Sequence, residues 1–121
     1  MLDHITLKVS DYERSEAFYD IALSALGLRR IMQGAGYAGY GDTRPFFWIG
    51  GGGGPCDVHV AFAAPDRPTV DAFYKAALEA GGVDNGGPGV RPHYHAHYYG
   101  AFVLDPDGNN IEAVCHAPQE I

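Results

Sequence analysis

Apolar and polar positions alternate with period two at two places in the chain. In His4-Ile5-Thr6-Leu7-Lys8-Val9, the residues Ile5, Leu7 and Val9 share one face, and His4, Thr6 and Lys8 share the other. Val58-His59-Val60-Ala61-Phe62 repeats the arrangement, with His59 and Ala61 opposite Val58, Val60 and Phe62. Such alternation predicts a strand at each place. A helical period follows both, through Phe18, Ile21, Ala22, Ala25 and Leu26 in the first and Val70, Phe73, Tyr74, Ala77 and Leu78 in the second. Asp11 and Asp66 stand where N-caps are expected, and Gly27 and Gly82 where left-handed stops are expected. Further strands are predicted at 28–33, 37–41 and 45–49, then at 98–104 and 110–115, with a weakly marked one within 83–94. Asp105-Pro106-Asp107-Gly108 has the composition of a type I turn between the last two strands.

The pattern is written twice. A shift of 55 residues lays His4 on His59, Asp11 on Asp66, and Ala17-Phe18-Tyr19 on Ala72-Phe73-Tyr74. The same shift superposes Ala22-Leu23 on Ala77-Leu78, Ala25 on Ala80 and Gly27 on Gly82. The expectation is one α+β domain over 1–121, made of two βαβββ modules, about 1–50 and 56–116, with the helices outside. Units this small need a shared core. The stretch 50–55, five glycines closed by Pro55, is read as a flexible linker between them. It lacks the GxxxxGK[ST] pattern and precedes a strand, so it is not a phosphate-binding loop.

Composition narrows the function classes. The 121 residues are 46% hydrophobic, with 15 acidic against 8 basic side chains and a net charge of −7. That balance repels a phosphate backbone, so nucleic acid is not an expected partner. No apolar run reaches membrane-spanning length, and the first residues do not resemble a signal peptide. Cys56 and Cys115 have neither CxxC spacing nor the density of a disulfide scaffold, so a cytoplasmic location is expected.

Three residues carry candidate chemistry. His4 and His59 open equivalent strands on equivalent faces, and Glu112 alternates with Ile111 and Ala113 in the last strand. If the modules pack about a pseudo-twofold axis, their sheets curl around one cavity into which both histidines point. Two imidazoles and a carboxylate suit a divalent Fe, Mn, Ni, Zn or Co ion with positions left open for a small-molecule substrate. Elsewhere, the segment from Arg91 to Tyr99 interleaves His93, His95 and His97 with tyrosines. Within it, His97 is a candidate acid/base, and Arg91 and Tyr98 are candidate substrate contacts. The aromatic residues Tyr37, Tyr40, Phe46, Phe47 and Trp48 are candidates for stacking on a planar ligand.

The segments HITLKVSDYERSEAFYDIALSALGL and YGAFVLDPDGNNIEAV resemble the vicinal oxygen chelate superfamily, the glyoxalase, bleomycin-resistance and extradiol-dioxygenase group. The resemblance implies paired βαβββ units curled as mixed sheets into an open barrel around a cavity, usually in homodimers. It implies metal ligands on the first and last strands of each unit, three of which match His4, His59 and Glu112, the last also as catalytic base. At the fourth place the chain offers Trp48 or Ile49, which departs from the glyoxalase pattern. The implied activity is that of a small metal-dependent enzyme binding vicinal oxygens, as lyase or isomerase, dioxygenase or thiol transferase. The alternative is a metal-free bleomycin-resistance-type protein that sequesters a planar molecule.

Overall fold

The computed structural model describes residues 2–54 and 57–119. The elements run β1 (Ile5–Lys8), α1 (Tyr12–Ser24), β2 (Arg29–Gly34), β3 (Tyr37–Gly41), β4 (Pro45–Gly50), β5 (His59–Ala63) and α2 (Arg67–Glu79). Then come β6 (Val83–Asp84), β7 (Gly89–Val90), β8 (Tyr99–Leu104) and β9 (Asn110–Cys115). They make an α+β fold of two helices and two mixed sheets, ordered β1-β4-β3-β2 and β5-β9-β8-β6, with β7 also paired to β8. In each sheet the opening strand runs parallel to the closing one, β1 with β4 and β5 with β9, and the other pairs are antiparallel. The weak strand expected within 83–94 is divided in two, because Gly86-Gly87-Pro88-Gly89 supplies neither alternation nor a full set of amide donors.

Both helices start as the sequence predicts. The Asp11 carboxylate accepts from the Arg14 amide at 3.2 Å, and that of Asp66 from the Thr69 amide at 2.9 Å. In α2 the buried residues are Val70, Phe73 and Ala77, on the expected stripe. In α1 the stripe is turned from the expected one: Ser15, Phe18, Tyr19, Ala22 and Leu23 are buried, whereas Ile21 is exposed. The reason is Tyr19, whose hydroxyl has a partner in the core. Past α1, Gly27 takes the left-handed conformation, but past α2 Gly81 does so instead of Gly82. Gly82 is constrained differently, since a Cβ there would stand 2.5 Å from Val103 Cγ1 and 2.8 Å from Phe18 Cε1.

One cluster of buried residues draws on both helices and both sheets, with Tyr19, Phe47 and Phe62 in ring contact at its centre. The faces carrying Ile5, Leu7, Phe47 and Ile49, and Phe62, Ile111, Ala113 and Cys115, all serve this core. The opposite faces, with His4 and His59, turn away from it. Among the described residues the sheets therefore do not close into a barrel within one chain.

Two polar contacts tie α1 and the residue before its N-cap to the turn between β8 and β9. Asp105, buried in the turn between β8 and β9, accepts from the amides of Asp107 and Asn109 at 2.9 Å, from Asn109 Nδ2 at 3.0 Å and from the Tyr19 hydroxyl at 2.5 Å. The Ser10 amide donates to Asp107 at 3.1 Å. The glycine run is also less free than a linker. Gly50 closes β4 and accepts from the Val9 amide at 2.7 Å, while the Gly53 amide donates to the Val9 carbonyl at 3.1 Å. A Cβ on Gly53 would lie 2.3 Å from the Lys8 carbonyl oxygen, so a close backbone crossing requires glycine there. Pro55 and Cys56, where the expected linker ends and the expected second module begins, lie outside the described residues.

Candidate functional site

Strand pairing assembles the site on the outward face of the second sheet. β5 and β9 are in register with His59 beside Asn110 and Ala61 beside Glu112, and β8 sets Phe102 beside Glu112. With period two, His59, Glu112 and Phe102 emerge on one face. Glu112 is completely buried although it is on the face away from the core. His59 Nε2 donates to Glu112 Oε1 at 2.7 Å, and the Tyr98 hydroxyl donates to Oε2. The His59 side chain itself is half exposed, so one end of the pair is open to a ligand.

Room for this arrangement comes from Gly100. A Cβ there would stand 3.1 Å from Glu112 Oε2 and 3.1 Å from Tyr98 Cε1, a tight approach that would push the carboxylate and phenol by a few tenths of an ångström. Burial, and then the bond to Glu112, raises the Tyr98 pKa, so the phenol stays a hydrogen-bond donor. A carboxylate withdrawn from water is costly unless its oxygens are hydrogen-bonded, and here both are. Arg91 stands at the rim, its guanidinium carbon 5.3 Å from the Phe102 ring centroid. Two of its nitrogens donate to the Gly89 and Gly87 carbonyls at 2.7 and 2.8 Å, which brace the turn ahead of β8.

The structure does not bring every candidate to this place. His4 is exposed at the head of β1, with Nδ1 on Asp3 at 2.7 Å. Among the described residues no three His, Cys, Asp or Glu side chains come together as a metal site. His97 is exposed, and its backbone amide donates to His95 Nδ1 at 3.3 Å. Tyr40 and Phe47, read as ligand-stacking residues, are core residues instead: both are buried, and the Tyr40 hydroxyl donates to Asp20 at 2.8 Å. Their side of β3 and β4 faces α1, which the apolar run 46–49 could not reveal.

Trp48, by contrast, is on the outward face, packed against Gly39 and 6.3 Å from the Tyr37 ring. Its partner in β1 is Thr6, two residues after His4, just as the partner of Glu112 in β5 is Ala61, two residues after His59. Trp48, not Ile49, thus holds the place in the first sheet that Glu112 holds in the second. Sequence reasoning missed Phe102, Gly100 and His116. All three were within reach, because period two from Tyr98 passes through 100 and 102, and from Glu112 through 114 and 116.

A fold of two mixed sheets, one with a histidine opening its first strand and the other with a histidine just ahead of it, defines a class, and comparison with known proteins agrees. The chain belongs to the Glyoxalase/Bleomycin resistance protein/Dioxygenase superfamily, whose model matches residues 1–113. It is similar to a glyoxalase/bleomycin resistance protein from Albidiferax ferrireducens, at 31% identity and a TM-score of 0.82, over 93% of this chain and 97% of that one. A fosfomycin resistance protein from Mesorhizobium loti shares the fold, with 18% identity, a TM-score of 0.72 and coverage of 97% and 92%. So does a lactoylglutathione lyase from Agrobacterium tumefaciens, at 18% identity, a TM-score of 0.69 and coverage of 95% and 92%. No curated protein matches the chain. Among the described residues no helix is long and apolar enough to cross a membrane.

Proposed function

We propose that this chain is a small cytoplasmic metal-dependent enzyme of the glyoxalase/dioxygenase type, acting on a small substrate with vicinal oxygens. The observation that carries the reading is the fully buried Glu112 carboxylate in contact with a half-exposed imidazole, His59. Neutral imidazole and carboxylate are a donor set for Fe, Mn, Ni, Zn or Co, so the residues present fit a divalent ion. His59 Nε2 and Glu112 Oε1 would hold it, with His4 as the third donor supplied by a second copy of the chain. The unpartnered face of the first sheet, with exposed Met32 and Tyr37 beside Trp48, is the surface such a homodimer would cover. On this reading the chain is one domain of two modules, and a cavity forms where the first module of one copy meets the second module of the other.

When bound, the ion supplies Lewis-acid stabilisation to two neighbouring oxygens of a substrate. Glu112 is the residue to take a proton, and Tyr98, held protonated, is the donor beside it. Arg91 and Trp48 face the substrate, and His97 stands at the rim as an acid/base. Lyase or isomerase, dioxygenase and thiol-transfer chemistry are all compatible with this set.

Elemental analysis of protein purified without an affinity tag tests the proposal. The expected result is about one transition-metal ion per site, with binding weakened at least about tenfold in both His59→Ala and His4→Ala. Below about one-tenth equivalent, unchanged by added metal or by either substitution, the enzyme reading fails. A second reading, metal-free sequestration of a planar molecule, draws on the half-buried Trp48 next to Tyr37. Trp48 is the only tryptophan in the chain, so saturable quenching of its fluorescence by an aromatic ligand in the presence of chelator is the result that favours it.

A further inference from the structure

The two oxygens of the Glu112 carboxylate meet different surroundings. Oε1 is 2.7 Å from His59 Nε2, and the imidazole that bonds to it is half exposed. The hydrogen they share is one that a cation can replace, since a ligating imidazole nitrogen gives up its proton. Oε2 has no such opening. It accepts from the Tyr98 hydroxyl, and a Cβ on Gly100 would stand 3.1 Å from it. Glu112 is completely buried, so Oε2 has no face on solvent. Among the described residues the Tyr98 hydroxyl is the one donor bonded to Oε2.

Tyr98 is held in place by its backbone and by its ring. Its carbonyl accepts from the Arg91 amide at 2.7 Å, and its amide donates to the His95 carbonyl at 3.2 Å. Both bonds fix the residue just ahead of β8. The rings of Tyr94, His95 and His116 stand edge-on to the Tyr98 ring, with centroids at 4.8, 5.4 and 5.3 Å. A phenol is protonated throughout the neutral range, so it meets the carboxylate there as a donor. Carboxylates bind cations through one oxygen or through both. A carboxylate that uses both has to turn the pair towards the same ion, and here one of the pair is already engaged.

We infer that Tyr98 is a positioning residue that occupies Glu112 Oε2, so that the carboxylate offers a divalent ion one oxygen, Oε1, and not both. The inference rests on the role proposed for Glu112 and adds a consequence for substrate. Each position around the ion that the carboxylate does not use is left for the vicinal oxygens of the ligand.

The test uses the full chain loaded with Co(II), which absorbs more weakly in the visible as its coordination number rises. Tyr98→Phe keeps the ring and frees Oε2 to join the ion. Its Co(II) absorption should fall by at least about half relative to the wild type. A tyrosine that merely packs the site lowers the Tm in chelator and leaves the Co(II) spectrum unchanged, so an unchanged spectrum in Tyr98→Phe overturns the inference. The crystal structure of the Co(II)-loaded wild type decides the same point without any variant. Oε1 on the ion and Oε2 on the phenol is the expected result, and an ion held by both oxygens overturns the inference. A wild-type chain that takes up no Co(II) is a different result, which overturns the metal-dependent reading and this inference with it. Bound Co(II) with both oxygens engaged overturns the inference alone.

Discussion

Asp105→Ala is expected to destabilise the protein by about 3–5 kcal/mol, a fall in Tm of at least about 10 °C. The Asp105 carboxylate is buried and serves four donors, two amides of its own turn, the Asn109 side chain and the Tyr19 hydroxyl. Removing it leaves the buried Asn109 and Tyr19 donors without a partner, and an unmet buried donor costs about 1–3 kcal/mol. Tyr19→Phe removes only one donor and should cost less, about 1–2 kcal/mol near neutrality. The two variants also differ in alkali. Burial, and then the Asp105 charge, raises the Tyr19 pKa well above its ordinary value of 10.0. An unfolded chain therefore loses the Tyr19 proton above about pH 10 while the folded chain keeps it. The stability linked to this raised pKa is fully present below that pH and is lost as pH rises towards the folded value. Urea midpoints at about pH 8 and about pH 10.5 check both points. Tyr19→Phe should show a shallower alkaline fall than the wild type, with Tyr12, Tyr40, Tyr98 and Tyr99, also raised by burial, supplying the slope that remains. An Asp105→Ala unfolding free energy within about 0.5 kcal/mol of the wild type would mean the turn is not held by its carboxylate.

How far the sequence revealed the fold depends on how local each signal is. The strands 37–41 and 110–115, both N-caps and the outward placing of His59 are set by neighbours in the chain, and the structure has them as predicted. The rotation of α1 was hidden, because Tyr19 faces inward only by virtue of Asp105, 86 residues away. The run Phe46-Phe47-Trp48-Ile49 has no alternation, so only pairing with β1 decides that Trp48 looks out and Phe47 looks in. The site was legible in pairs more than as a set. His59 and Glu112 meet because parallel strands bring their faces into register, whereas His4 precedes β1 in the other sheet and bonds to Asp3. Tyr98 was singled out as a substrate contact, but its hydroxyl is committed to Glu112. That commitment depends on the space at Gly100, a residue whose meaning in the sequence is visible only once β8 is laid beside β9.

Glu112→Gln separates a carboxylate kept for chemistry from one kept for structure. The substitution preserves volume, and an amide oxygen can still accept from Tyr98 or His59, so packing in β9 is undisturbed. What it removes is a negative charge buried among groups that solvate it only through two hydrogen bonds. Without metal, Glu112→Gln should therefore be as stable as the wild type or more stable by about 1–2 kcal/mol. Metal reverses the order. A divalent ion at 100 times its Kd stabilises a protein that binds it only when folded by about 2.7 kcal/mol, and the amide variant, lacking the anionic donor, should gain almost none of this. Thermal melts of both proteins, with chelator and with a series of divalent ions, read the two effects together. A carboxylate with a structural role predicts the opposite pattern, in which Glu112→Gln is destabilised in chelator and the metal response of both proteins is equal. The crossing of the two stability orders, not the loss of binding alone, identifies Glu112 as a residue whose burial is tolerated because a cation offsets it.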